Sequence, residues 1–147
     1  NSFFCKNCIM KKVLFISDKL EFIESHILFL KKRGIHVTHI TKFNSGEIYD
    51  YVCNSHVIIS ETFINGDDLG SFLPKYNTLE KKPILIGLCN STYSYEALYA
   101  LKTGASFVFN YNKSPKYLLA QIEALVRLSE DFTSLFSAVN MNNLTTS

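Results

Sequence analysis

The chain has 147 residues, a length that sets the expectation of a single domain. With 47% hydrophobic and 19% charged residues it has too much apolar material for a disordered chain. Fifteen Lys and Arg stand against thirteen Asp and Glu, and a net charge of +2 argues against binding nucleic acid or a membrane surface directly.

No apolar run approaches the ~18 residues that a spanning helix needs. No basic segment precedes a signal-type core, so no export signal is expected. Residues 1–10 (NSFFCKNCIM) fit no element, and Met10 stands directly before KKVLFIS, so they are read as a disordered or appended N-terminal extension. Cys5 and Cys8 in this extension have zinc-ligand spacing. A tetrahedral site needs four ligands, however, and Cys53 and Cys89 fall in separate predicted elements. Four cysteines are too sparse for a disulfide scaffold, and a reducing, cytoplasmic setting is expected.

Residues 12–17 (KVLFIS) form a short apolar run of the kind that makes a strand buried on both faces. Residues 18–33 carry Leu20, Ile23, Ile27, Leu28 and Leu30 at helical spacing, with Asp18 at the start and Gly34 as the stop. Lys31, Lys32 and Arg33 make the basic last turn that a helix dipole favours. Residues 36–41 (HVTHIT) alternate and are β-branched, hence a second strand, and a short helix runs from Asn44-Ser45-Gly46 to about Val52. Residues 56–60 (HVIIS) predict a third strand that ends at Glu61.

Residues 66–80 read as a helix with Asp67 and Asp68 as its N-terminal charges, although Pro74 in its middle works against it. Pro83 opens a fourth strand, ILIGL, through Leu88. Residues 91–102 predict a helix stopped by Gly104, and residues 106–110 (SFVFN) a fifth strand. Ser114-Pro115 starts a last helix, with Pro at the first helical position, that runs to about residue 129. The domain is therefore placed at 11–129. Residues 130–147 are read as the end of that helix and a linker or tail.

Strands that alternate with helices give an α/β fold in which a parallel sheet is covered on both faces. In such a sheet, ligands collect beyond the carboxyl ends of the strands, at the point where the strand order reverses. The residues that fall there are Ser17 and Asp18, Ser60 and Glu61, Leu88 and Cys89, then Asn110, Tyr111 and Lys113.

Set at these positions, several segments resemble a CheY-like receiver domain of two-component response regulators. KKVLFISD is similar to the first strand with its acidic end, HVIISE to the strand that ends at the phospho-acceptor, and Pro83 with ILIGL to the fourth strand. Ala100-Leu101-Lys102-Thr103-Gly104-Ala105 and Ser114-Pro115-Lys116 with LLAQIEAL resemble the later helices of the winged-helix transcription-factor class. The resemblance implies a CheY/flavodoxin-like, doubly wound, five-stranded parallel sheet of order 2-1-3-4-5. It also implies phosphoryl transfer from a histidine kinase to an Asp, with Mg²⁺ on three carboxylates and a Thr or Ser and a Lys on the phosphoryl oxygens.

The chain departs from that pattern almost throughout. The acidic pair is Ser17-Asp18, the acceptor position holds Glu61, and the hydroxyl switch position holds Leu88. The aromatic switch position holds Val108 and the lysine position holds Tyr111, with Lys113 nearby. Since one lost transition-state donor typically costs ~10²–10³ in rate, the site is expected to be degenerate and the chain not an enzyme. No cofactor is expected beyond weak Mg²⁺ at Asp18 and Glu61. Glu61 itself is open to three readings: a mimic of a phosphorylated Asp, a solvated relic, or part of that weak metal site.

Other candidate residues have plainer roles. Ser60 has no base beside it and points away from the Glu61 face. His26, His36, His39 and His56 share no loop or helical turn that would hold a metal. Cys89 reads as a small buried residue.

What the resemblance leaves is a surface. The helix 4–strand 5–helix 5 face pairs receivers of the transcription-factor class. Here it carries Tyr93, Tyr95, Leu98, Tyr99, Lys102, Phe107, Tyr117, Leu118, Gln121 and Leu125. Tyrosines suit an interface because they bury large area and keep a wet hydroxyl. The expectation is an atypical receiver of an orphan response regulator, a homodimerising module independent of Asp phosphorylation, with a DNA-binding output domain elsewhere in a parent chain. Two rivals are a receiver that accepts phosphate through Asp18, Glu61 and Lys113, and a flavodoxin-like cofactor binder. The second lacks a Gly-rich phosphate loop after the first strand.

Overall fold

A computed structural model describes residues 12–44 and 46–146, with residues 132–146 described by backbone alone. The extension with Cys5 and Cys8 lies outside the described residues. In chain order the elements are β1 (Lys12–Ile16), α1 (Leu20–Lys32), β2 (His36–Ile40), α2 (Ile48–Cys53), β3 (Val57–Glu61), and the short strands β4 (Phe63–Ile64) and β5 (Asp67–Asp68). A 3₁₀ turn (Leu69–Ser71) follows, then α3 (Leu73–Tyr76), β6 (Ile84–Cys89), α4 (Tyr95–Thr103), β7 (Phe107–Asn110) and α5 (Pro115–Thr146).

The main sheet is five-stranded and parallel, in the order β2-β1-β3-β6-β7. Counted over its own strands this is 2-1-3-4-5, the order the resemblance implied. The central strands β1, β3 and β6 are apolar runs because both of their faces are covered, while the edge strand β2 (HVTHI) is only partly buried. Alternate residues divide the core. Val13, Phe15, Val57, Ile59, Ile86, Leu88 and Phe109 pack with Ile23, Ile27 and Leu30 of α1 and Leu118, Leu119 and Ile122 of α5. Leu14, Ile16, Ile58 and Leu85 pack on the other face with Phe43, Phe72, Ala97 and Ala100.

Gly87 sits where α4 crosses β6. A Cβ there would lie 2.8 Å from Ala100 Cβ and 3.3 Å from Val108 Cγ1, so the bare backbone lets α4 seat tightly. Among the described residues no helix is long and apolar enough to cross a membrane.

Two stretches differ from their sequence reading. The helix expected over 66–80 is replaced by the β4–β5 hairpin, the 3₁₀ turn and the four-residue α3. Asn65 and Gly66 both take positive φ, 52° and 83°, which matches the twist of a tight hairpin turn and opens no helix. Asp67 and Asp68 form the second hairpin strand, and Asp68 Oδ1 accepts from Gly70 N at 2.7 Å to cap the 3₁₀ turn. Pro74 lies in the first turn of α3, where its missing N–H costs nothing. At the other end, α5 continues past residue 129 to Thr146, because no Gly or Pro interrupts the chain beyond Pro115.

Candidate functional site

The strand order reverses between β1 and β3, and their carboxyl ends lie side by side, Ile16 against Ser60. Glu61, the last residue of β3, is 5% exposed. Its carboxylate is held by three consecutive residues that leave β1. The Ser17 hydroxyl donates to Oε2, and the Asp18 backbone N–H donates to the same oxygen at 3.2 Å. The Lys19 ammonium reaches Oε1 at 2.5 Å and Asp18 Oδ1 at 3.5 Å. Ser17 Oγ also accepts from Lys19 N at 3.0 Å, so one hydroxyl fixes both the acid and the start of α1.

Lys19 therefore stands between the two carboxylates of the site. Partial burial alone would depress its pKa, but the hydrogen bond and charge of Glu61, with the charge of Asp18, outweigh that and raise it. The buried acid is thus paired and hydrogen-bonded, the condition under which a charge is tolerated in an interior. Of the three readings of Glu61, the solvated relic is corrected, since the side chain is buried and donors surround it.

Two histidines brace the loops around this centre. His39 Nε2 donates to the Ser17 carbonyl at 2.7 Å, and His26 Nε2 donates to the Lys113 carbonyl at 2.8 Å. His26 is buried, with its ring edge-on to Phe109, and so ties α1 to the loop before α5. Tyr111 stacks on Phe22 of α1, ring centroids 5.0 Å apart. Burial pushes its phenol up, against the pull of Lys19. Lys113 does not reach round to the carboxylates; its Nζ lies over the Tyr117 ring, 4.6 Å from the centroid.

Leu88 and Val108, read from the sequence as switch positions, are core residues on opposite faces of the sheet. Leu88 pairs with Glu61 across β3 and β6 and packs beneath the site. Ser60 Oγ donates to the Glu61 carbonyl at 2.8 Å, a structural bond. Cys89 is buried, and burial pushes its thiol up, which suits a packing residue better than a nucleophile.

From Glu61 the chain runs straight into the hairpin, which is bound to α4. Thr62 Oγ1 donates to the Glu96 carbonyl at 3.0 Å, and Tyr99 Oη donates to Asp68 Oδ2 at 3.1 Å. Phe63 packs on Tyr95 and edge-on to Tyr99, with centroids 6.5 and 5.1 Å away. Beyond this cluster Tyr93, Tyr95, Leu98, Leu101, Phe107 and Tyr117 are exposed. Leu118 is not on that face: it is fully buried under α5, because its position in the helix points at the sheet. Gln121 and Leu125 are half-buried, Leu125 packed against the core, and Tyr99 is turned toward the hairpin.

The residues present do not fit Mg²⁺. That ion demands a near-octahedral set of oxygens. Both Glu61 oxygens already have protein donors, the Ser17 hydroxyl proton points at Glu61, and a cationic ammonium separates Glu61 from Asp18. Among the described residues no group of three His, Cys, Asp or Glu could hold a metal.

Sequence reasoning singled out Ser17, Asp18 and Glu61, and the fold brings them together. It missed Lys19, read only as a helix residue. It also missed the bracing by His26 and His39 and the Asn65-Gly66 hairpin, whose signal, two turn formers after Phe63-Ile64, was present in the chain.

No family model matches the chain, and no curated protein matches it by sequence. Solved structures do. A two-component response regulator from Clostridium difficile is 16% identical with a TM-score of 0.67, covering 80% of this chain and 96% of its own. A CheY-like response regulator receiver domain protein from Methanospirillum hungatei is 18% identical with a TM-score of 0.67, over 83% and 98%. Full-length FixJ from B. japonicum is 18% identical with a TM-score of 0.67, over 84% of this chain and 61% of its own. The fold is the CheY-like receiver fold, an α/β doubly wound parallel sheet.

Proposed function

We propose that this chain is an atypical receiver domain of a response regulator, a signalling module that works without phosphorylation of an Asp. One observation carries the reading: the carboxylate at the acceptor position is Glu61, and Ser17, Asp18 N and Lys19 already bond both of its oxygens. A phosphoryl group arriving there would have to displace an ammonium from a buried acid. It would meet Leu88 and Tyr111 where transfer needs a hydroxyl and a cation.

In this reading the module is not a catalyst and its working part is the α4–β7–α5 face, through which two copies associate. Exposed Tyr95, Leu98, Phe107 and Tyr117 support that use, since large apolar and tyrosyl groups gathered on one face mark interaction surfaces. In a longer parent chain α5 would lead toward an output domain that contacts DNA; FixJ, of which this chain covers 61%, supports a receiver fold joined to further chain.

The test is intact mass after incubation with acetyl phosphate and Mg²⁺, with light scattering on the same sample. The expected result is no phosphate mass and a dimer in both conditions. A labile phosphate adduct overturns the reading and favours a phosphorylatable receiver with altered ligands.

A further inference from the structure

We propose that the Lys19 ammonium is the resident cation of this site, a tethered counter-ion that makes the Asp18–Glu61 pair independent of divalent metal. The inference deepens the functional reading above and rests on it. Two carboxylates that converge need positive charge between them, or one must protonate. Nζ of Lys19 supplies that charge, 2.5 Å from Glu61 Oε1 and 3.5 Å from Asp18 Oδ1.

The ammonium is pre-positioned from two sides. Lys19 N is held by Ser17 Oγ at 3.0 Å, and Lys19 immediately precedes the first residue of α1, which the core fixes in place. A cation delivered on a side chain costs only the ordering of that side chain, and its occupancy does not depend on concentration. A divalent ion that reached the same oxygens would have to expel the ammonium and then find the rest of its oxygen set. Of the remaining neighbours, Ser17 is committed to Glu61, and the Tyr111 phenol keeps its proton. The arrangement leaves a metal no vacant pair of carboxylates.

The test uses the full chain with Mn²⁺, read by electron paramagnetic resonance, and melting temperature in EDTA against millimolar Mg²⁺. Wild type is expected to bind no Mn²⁺ and to melt at the same temperature in both buffers. Lys19→Ala opens the acid pair: it should melt lower in EDTA, bind Mn²⁺, and regain most of the lost melting temperature in Mg²⁺. Lys19→Ala combined with Glu61→Gln should lose that rescue, and Lys19→Arg, which keeps a cation, should behave as wild type. Should Lys19→Ala fail to fold, Lys19→Gln carries the same measurement. Mn²⁺ bound by wild type and lost in Glu61→Gln overturns the proposal, as does a Lys19→Ala or Lys19→Gln variant that folds and gains no response to either ion. These outcomes are separate from the phosphate-adduct test. An adduct would defeat the functional reading whatever the metal result, and a Lys19 variant without metal response would defeat only this inference.

Discussion

Lys19 and Glu61 meet across the boundary of the protein: the ammonium side chain is 40% exposed, and the carboxylate it touches is 6% exposed. The two halves of this ion pair are therefore unequal. Water can replace what Lys19 loses, but it cannot easily replace what Glu61 loses.

Removing the acid strands its donors. Glu61→Ala leaves the Ser17 hydroxyl and the Asp18 N–H without their acceptor, a loss of about 1–3 kcal/mol. Urea denaturation at neutral pH measures it. Glu61→Asp withdraws the carboxylate by one methylene from all three donors, so it should also destabilise. It should still give no phosphate adduct, because Leu88 and Tyr111 are unchanged.

The same pair predicts a pH dependence. Folded Lys19 holds its proton more tightly than an unfolded lysine at 10.5, the pull of Glu61 and Asp18 outweighing partial burial. A raised folded pKa gives stability that is complete below the unfolded value and is lost as pH rises through the folded one. The difference in unfolding free energy between wild type and Lys19→Met should stay flat from neutral pH to 10.5 and shrink above it. Added salt should reduce the difference, since the ammonium is partly in solvent. A difference that persists unchanged at higher pH would show that Lys19 acts through its stem alone.

Packing predicts a third outcome. Gly87→Ala places a methyl 2.8 Å from Ala100 Cβ, and the two backbones must part. Overpacking of this kind costs about 1–3 kcal/mol. Ala100→Gly in the same chain should return part of the loss, a coupling that a double-mutant cycle by chemical denaturation would read directly.

The exposed face predicts association. Leu98→Glu with Tyr117→Glu puts two like charges on a surface that in the proposed reading meets its own copy, and light scattering should then report a monomer. In that reading wild type should remain dimeric in high salt, because the proposed contact would be apolar. A wild type that is monomeric at high concentration removes the α4–β7–α5 face from the functional reading.

The sheet was legible because β1, β3 and β6 are apolar runs and β2 alternates with β-branched residues, and the strand ends placed Ser17, Asp18 and Glu61 together. The hairpin was misread because acidic Asp67 and Asp68 resemble a helix start, while the Asn65-Gly66 turn that precedes them decides the matter through its positive φ. The end of α5 was misread because a polar composition suggested a tail, whereas a helix ends for want of a hydrogen-bonding path or at Gly and Pro. Lys19 gave no signal at all. Its acid lies 42 residues away in the chain, and a lysine in the first turn of a predicted helix has no local feature that sets it apart from any solvated one.

The close seat of α4 on Gly87 limits what kind of motion that helix can make. Lifting it from the sheet would open a void beneath Ala100, and packed interiors resist voids. Sliding it along β6 would drive Ala100 into Leu85 or Cys89, which flank Gly87 on the same face of the strand. The hairpin grips the near end of α4 through Thr62, Phe63 and Asp68. In the proposed signalling reading, a change at the acid cluster would therefore reach the outer face through the hairpin's own grip on α4, with the helix keyed to the sheet like a peg in a socket.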